Sequence, residues 1–343
     1  MMAFKPSVVA KWWLVLLGLA LLVSCSDAPK HIRFSGDTMG TTYSIALYSK
    51  DPRHTQAEIQ KKVETVLAQV NAQMSTYDPD SELSRFNRHE STQPVVISRA
   101  LERVIGRALA IAEQTDGLLD VTVGPLVNLW GFGPQAKPEQ VPTAEELEAV
   151  RDYVGYRKLR IENHQLTKAH PKVYVDLSTI AKGYGVDRVA YLLDDLEITQ
   201  YLIEIGGEIR TRGGKPDGQP WRLAVEKPVS TERSIQEIVS FNEGALATSG
   251  DYRNFYEENG RRYSHIINPL TAEPIQHNLV SVSVYTEDCM SADAYATALL
   301  VMGTEQAKAF VEKHQLAALL VYKTDDGFGE WVSPAFEPLL SEQ

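Results

Sequence analysis

Cysteine is almost missing: the 343 residues contain only Cys25 and Cys289. No disulfide framework can staple this fold, so its stability must come from a buried core. Positive charge is also in deficit, with 34 Lys and Arg against 45 Asp and Glu and a net charge of −11. Basic residues are scattered and form no stripe, which argues against a nucleic-acid partner. Residues 31–343 have no repeat, low-complexity run or polar linker, so nothing divides that length into separate units. The standard nucleotide loops are missing too. Gly183-Tyr184-Gly185 lacks the third glycine of a dinucleotide fingerprint, and no Gly-Lys-Ser or Gly-Lys-Thr occurs here.

One long apolar run is present, at residues 12–23, preceded by Lys5 and Lys11 and ending in Leu22-Val23-Ser24-Cys25. It is short for a membrane span and has the order of a secretory signal. Small residues ahead of a cysteine resemble a bacterial lipoprotein signal. The expectation is a signal over 1–24, a lipidated Cys25, a tether over 25–30 and a catalytic domain over 31–343, held outside the cytoplasm on a membrane surface.

The whole chain is 43% hydrophobic and 23% charged, an ordinary globular balance. Alternation over 32–47, broken at Gly36-Asp37-Thr38-Met39-Gly40, predicts two strand pieces around a kink. Helical spacing predicts helices after Thr55 and Ser98, and a hairpin is expected at Asn163-His164. Residues 75–87 read as a polar loop in which Tyr77 could stack on a flat ligand, though such a tyrosine can equally be idle surface. Residues 118–134 have no regular period and read as a shaped loop. Strands dominate from Tyr201 onward, and Ser98-, Thr304- and Ser291-led helices are interspersed without a strict βαβ repeat. The fold class is therefore α+β, in two closely joined lobes with antiparallel-rich sheets flanked by helices.

Three places carry chemistry. Residues 173–187 pass from an expected strand to a helix through Asp176-Leu177-Ser178-Thr179-Ile180-Ala181-Lys182, a turn suited to presenting amides and the Lys182 charge to an anion. His265 lies on an expected strand in polar company and is the best general base among eight histidines, although read alone it is more simply a structural histidine. Val280, Val282 and Val284 alternate as a strand feeding a helix on which Asp293 and Thr297 stand four residues apart. Their oxygens suit a hard cation such as Mg²⁺. The simpler reading of that pair alone is that Asp293 caps its helix.

Taken in order, these segments resemble one family, the FAD:protein FMN transferases, or ApbE-type flavin transferase lipoproteins. The resemblance rests on Thr38-Met39-Gly40-Thr41, Asp116-Gly117 through Gly133-Pro134, Asp176 to Gly183, Gly206-Gly207, Thr248-Ser249-Gly250, Ser264-His265-Ile266-Ile267-Asn268-Pro269 and Ala292-Asp293-Ala294-Tyr295-Ala296-Thr297. It implies transfer of FMN from FAD to a Thr or Ser hydroxyl through a phosphoester, with release of AMP. The implied targets are subunits of membrane redox complexes of the NADH:quinone reductase or Rnf type. Met39, Tyr77, Leu118, Leu119, Asp120, Asp176, Thr179, Lys182, His265 and Ile267 match its flavin-nucleotide contacts. The Ala181 carbonyl with Asp293 and Thr297 matches its Mg²⁺ site, and His265 matches its proton acceptor. Two positions depart from the pattern: Ala296 stands where some relatives have a carboxylate, and Lys182 where others are acidic. An FAD pyrophosphatase and a non-catalytic flavin-binding lipoprotein are the alternatives.

Overall fold

The structure, a computed structural model, describes residues 28–133, 141–228, 235–252 and 254–341. The expected signal, Cys25 and the end of the 118–134 segment lie outside those residues.

Eight strands form one sheet: β1 (Lys30–Thr38), β2 (Thr41–Ser49), β3 (Gln200–Ile205), β4 (Glu208–Arg212), β5 (Gly244–Gly250), β6 (Leu279–Thr286), β7 (Ala317–Thr324) and β8 (Gly327–Val332). They lie side by side in chain order, and every pairing is antiparallel. Two-residue connections close three of the hairpins, as at Met39-Gly40 and Gly206-Gly207. Gly206 has a positive φ of 61°, and a Cβ there would stand 2.8 Å from Thr41 Cγ2, so glycine is required by both conformation and space.

Five main helices, α1 (Gln56–Met74), α2 (Arg99–Gln114), α3 (Ala181–Asp195), α4 (Cys289–Met302) and α5 (Thr304–His314), flank this sheet, four of them directly and α2 through α4. Thr55, Ser98 and Asp288 cap α1, α2 and α4 with side-chain oxygens. Helices α1 and α3 cover the first strands through Ile59, Val63 and Leu67 against Val189, Leu193 and Ile203. Helix α4 is apolar almost all round and buried from Cys289 to Val301, as such a helix must be. It lies between β6 and α2, with Ala294, Ala298 and Leu299 in the largest core. On the opposite face, a hairpin of Trp221–Glu226 and Ile235–Phe241 packs Leu223, Val225 and Val239 over Leu246 and Leu319. A smaller aromatic cluster of Trp130, Tyr256 and Tyr263 forms a separate core.

Four local expectations are corrected. Residues 75–87 are not all loop, because Ser81 caps a short helix, Glu82–Asn87. Residues 118–134 contain another, Gly124–Leu129, opened by Pro125. Residues 173–177 form no strand. Several of their backbone groups bond to side chains instead: Asn87 accepts from the Val175 amide and donates to its carbonyl, and the Lys168 ammonium donates to the Val173 carbonyl. His265 is not on a strand but at a bend between Arg261–Ser264 and Ile267–Asn268.

Candidate active site

The site forms where the start of α3 meets α4 and the turn between β3 and β4. A Cβ on Gly183 would lie 2.3 Å from the Cys289 carbonyl oxygen, so the two helices touch backbone to backbone. Asp293 reaches across this contact, and its Oδ2 accepts the Gly183 amide at 3.0 Å. Asp293 is only 2% exposed. It does not cap α4, because Asp288 does that by accepting from Ser291. A buried carboxylate at the start of another helix is favourably placed with respect to its dipole.

The Lys182 ammonium stands between two buried carboxylates, 3.2 Å from Glu208 Oε1 and 3.5 Å from Asp293 Oδ1. Burial works against that ammonium, yet Asp293 and Glu208 hold its pKa above the ordinary lysine value. Burial pushes the Glu208 carboxyl up to about 8; Lys182 pulls the other way and the Asp293 charge adds to the rise. Glu208 Oε2 and Thr179 Oγ1 are buried side-chain oxygens with no hydrogen-bond partner. Such atoms incur a desolvation cost unless a ligand or water meets them. Thr297 shares a 3.0 Å hydrogen bond with Ser249 of β5.

Other sequence candidates come together around this point. Met39 Sδ would lie 3.1 Å from a Cβ on Gly185, placing it against the first turns of α3. Asp176 accepts the Ser178 amide, and its own amide bonds to Val121, which joins the 118–123 segment to the approach of α3. Tyr77 is 74% exposed, and the Asp176 charge contributes, after burial, to raising its phenol. His265 donates Nδ1–H to the Asn254 carbonyl at 3.0 Å, because a carbonyl can only accept. Burial lowers its pKa, with Asn254 and Asp251 opposing and the Lys182 charge reinforcing the fall.

Some candidates have other employment for their side chains. Asp120 accepts from the Thr122 amide and hydroxyl and from the Tyr156 amide, so its carboxylate already holds its own loop together. Leu118, Leu119 and Ile267 are buried, and their side chains serve the core. Glu208 was missed by sequence reasoning, although it directly follows the Gly206-Gly207 turn. Asn87 and Lys168 carried no signal, since their partners lie more than eighty residues away or in backbone carbonyls.

A hard-cation site is chemically consistent with Asp293, Thr297 and the Ala181 carbonyl: the donors are all oxygen, and orphaned oxygens lie beside them. No cluster of three or more His, Cys, Asp or Glu ligands exists among the described residues. Any cation here would rest on this mixed set.

This is an antiparallel α+β domain in which a helix start, a lysine and two buried carboxylates converge, a charged centre able to meet an anionic group and a cation together. Comparison with known proteins makes this specific. The profile of the ApbE family matches residues 39–320, and the chain belongs to that family. It is 50% identical over 331 residues to an FAD:protein FMN transferase of Vibrio cholerae, covering 96% of this chain and 99% of that one. It is 44% identical to a Haemophilus influenzae protein of the same name, covering 95% and 96%. The solved flavin transferase ApbE from Vibrio cholerae superposes with a TM-score of 0.85 at 50% identity, over 91% of this chain and all of that one.

Proposed function

We propose that this protein transfers FMN from FAD to a serine or threonine hydroxyl of a target protein, forming a phosphoester and releasing AMP. The observation that carries the reading is geometric: Lys182, Asp293 and Glu208 meet at the start of α3, and His265 has its Nδ1 hydrogen engaged by Asn254, which leaves Nε2 free to accept a proton.

The start of α3 and the Lys182 ammonium attract the pyrophosphate, while Tyr77 offers an exposed ring to a flat ring system. With Nδ1–H held by Asn254, the lone pair resides on Nε2, and this atom takes the proton of the acceptor hydroxyl. The hydroxyl oxygen then bonds to the FMN phosphorus, the phosphorus–oxygen bond to AMP breaks, and AMP leaves with the bridging oxygen. Asp293, Thr297 and the Ala181 carbonyl would hold Mg²⁺, which when bound neutralises charge on the pyrophosphate oxygens.

The acceptors in this reading are subunits of membrane redox complexes of the NADH:quinone reductase or Rnf type. The apolar run at 12–23 and Cys25 support lipid anchoring in the bacterial envelope, facing the periplasm and on the inner membrane with its targets. No helix among the described residues is long and apolar enough to cross a membrane.

The test incubates the protein with FAD, Mg²⁺ and a candidate subunit, with EDTA as control, and inspects a denaturing gel for covalent flavin fluorescence. A Mg²⁺-dependent fluorescent band on the subunit is expected. FMN and AMP without such a band from any acceptor indicates a pyrophosphatase, and FAD binding without turnover a carrier.

A further inference from the structure

Helices α3 and α4 hold each other at their starts by an exchange of carboxylates. From α4, Asp293 takes the amide of Gly183, the third residue of α3. From α3, Asp187 takes the amides of Cys289 and Met290, the first two residues of α4, at 3.0 and 2.9 Å. Asp187 is 2% exposed and paired with Arg210 of β4, whose guanidinium lies 5.5 Å from the Tyr191 ring centre. Arg210 thus ties the clamp to the sheet two residues after Glu208.

The two halves of this exchange are not equivalent. Asp293 is itself a cation ligand in the function proposed above, so its grip on Gly183 is shared with whatever it binds. Among the described residues Asp187 bonds to the two α4 amides and to Arg210, and takes no part in the proposed cation donor set. The donor set spans that crossing, with Ala181 on α3 and Asp293 and Thr297 on α4. Magnesium demands near-ideal octahedral geometry, so a small slide of one helix along the other would spoil it.

We propose that Asp187, braced by Arg210, is the positioning residue that sets the spacing between Ala181 and the Asp293–Thr297 pair, and thereby the affinity of the cation site. The inference rests on the metal reading above. It is tested with Mn²⁺ as probe, titrated into the FAD-free protein and followed by electron paramagnetic resonance. Asp187→Asn keeps shape and one acceptor oxygen but removes the charge. The control is Asp194→Asn on the same helix, where Asp194 binds Arg212 and Tyr201 away from the site. Loss of a group that orients metal ligands weakens affinity by about 10- to 100-fold. D187N is therefore expected to weaken Mn²⁺ binding at least ten-fold, and D194N less than about two-fold, at a temperature where circular dichroism shows both folded. Unchanged binding in D187N, or an equal loss in D194N, overturns the proposal. Absence of Mn²⁺ binding to the wild-type protein overturns the metal reading and this inference with it. Should D187N not fold, Arg210→Lys decides: it keeps the charge but not the planar fork, and a loss of about five-fold is expected where an unchanged affinity refutes.

Discussion

His265 and Asn254 are joined twice, since one carbonyl, that of Asn254, accepts both the backbone amide of His265 and its ring Nδ1–H. Ring and backbone are fixed from a single point, and the tautomer with a basic Nε2 follows without any carboxylate partner. Replacing His265 with Ala is expected to cut FMN transfer by about 100-fold, the usual worth of a positioned base, while FAD affinity by fluorescence titration stays within about two-fold. An unchanged turnover number removes His265 from the mechanism.

The same residue sets the acid side of the pH profile. Burial lowers its pKa from the ordinary 6.5, so the required neutral form persists below that pH and activity should fall only in more acid solution. Asp251 favours the protonated ring. Asp251→Asn is expected to move the acid limb of the rate profile still lower, and a shift upward contradicts the assignment.

Asp293→Ala removes both the proposed cation ligand and the acceptor for the Gly183 amide. Transfer should drop by at least about 1,000-fold, in line with losing a main electrostatic stabiliser. Covalent flavin on the acceptor subunit is the readout, and retention of a tenth of the wild-type rate would exclude the role.

Gly183→Ala sets a methyl group 2.3 Å from the Cys289 carbonyl oxygen, and that neighbour is backbone, unable to turn aside. Forced separation of the helices should cost about 1–3 kcal/mol in urea unfolding, the range for overpacking. A variant of wild-type stability would mean the helices are not in contact.

Asn87→Ala strands the amide and carbonyl of Val175, next to Asp176. A loss of about 1–3 kcal/mol is expected for groups left unpaired in the interior. Because the loosened segment leads into Asp176, FAD affinity should fall as well, which isothermal titration would show.

What the sequence revealed about this protein depended on the range of the interactions involved. Alternation in β2 and β6 and the caps at Thr55 and Ser98 are local signals, and the elements stand where they were expected. The 173–177 stretch misled because Val173, Tyr174 and Val175 have strand composition, while their partners are the Asn87 side chain and the Lys168 ammonium. No pattern within the segment announces either. Asp293 was legible through its four-residue spacing from Thr297 on an expected helix; Asp187, equally buried, was hidden in an ordinary amphipathic helix and meets α4 and Arg210. Glu208 was overlooked because one acid after two glycines looks like turn chemistry, and only the fold carries Lys182 to it.

The backbone contact at Gly183 also bears on synthesis. Gly183 leaves the ribosome more than a hundred residues before Asp293, the group that takes its amide. Until α4 emerges, the nascent chain has β1 to β6 and α1 to α3 but neither Asp293 nor Thr297. A chain stopped before residue 293 therefore has the Gly183 amide without its acceptor and lacks two of the three proposed cation donors.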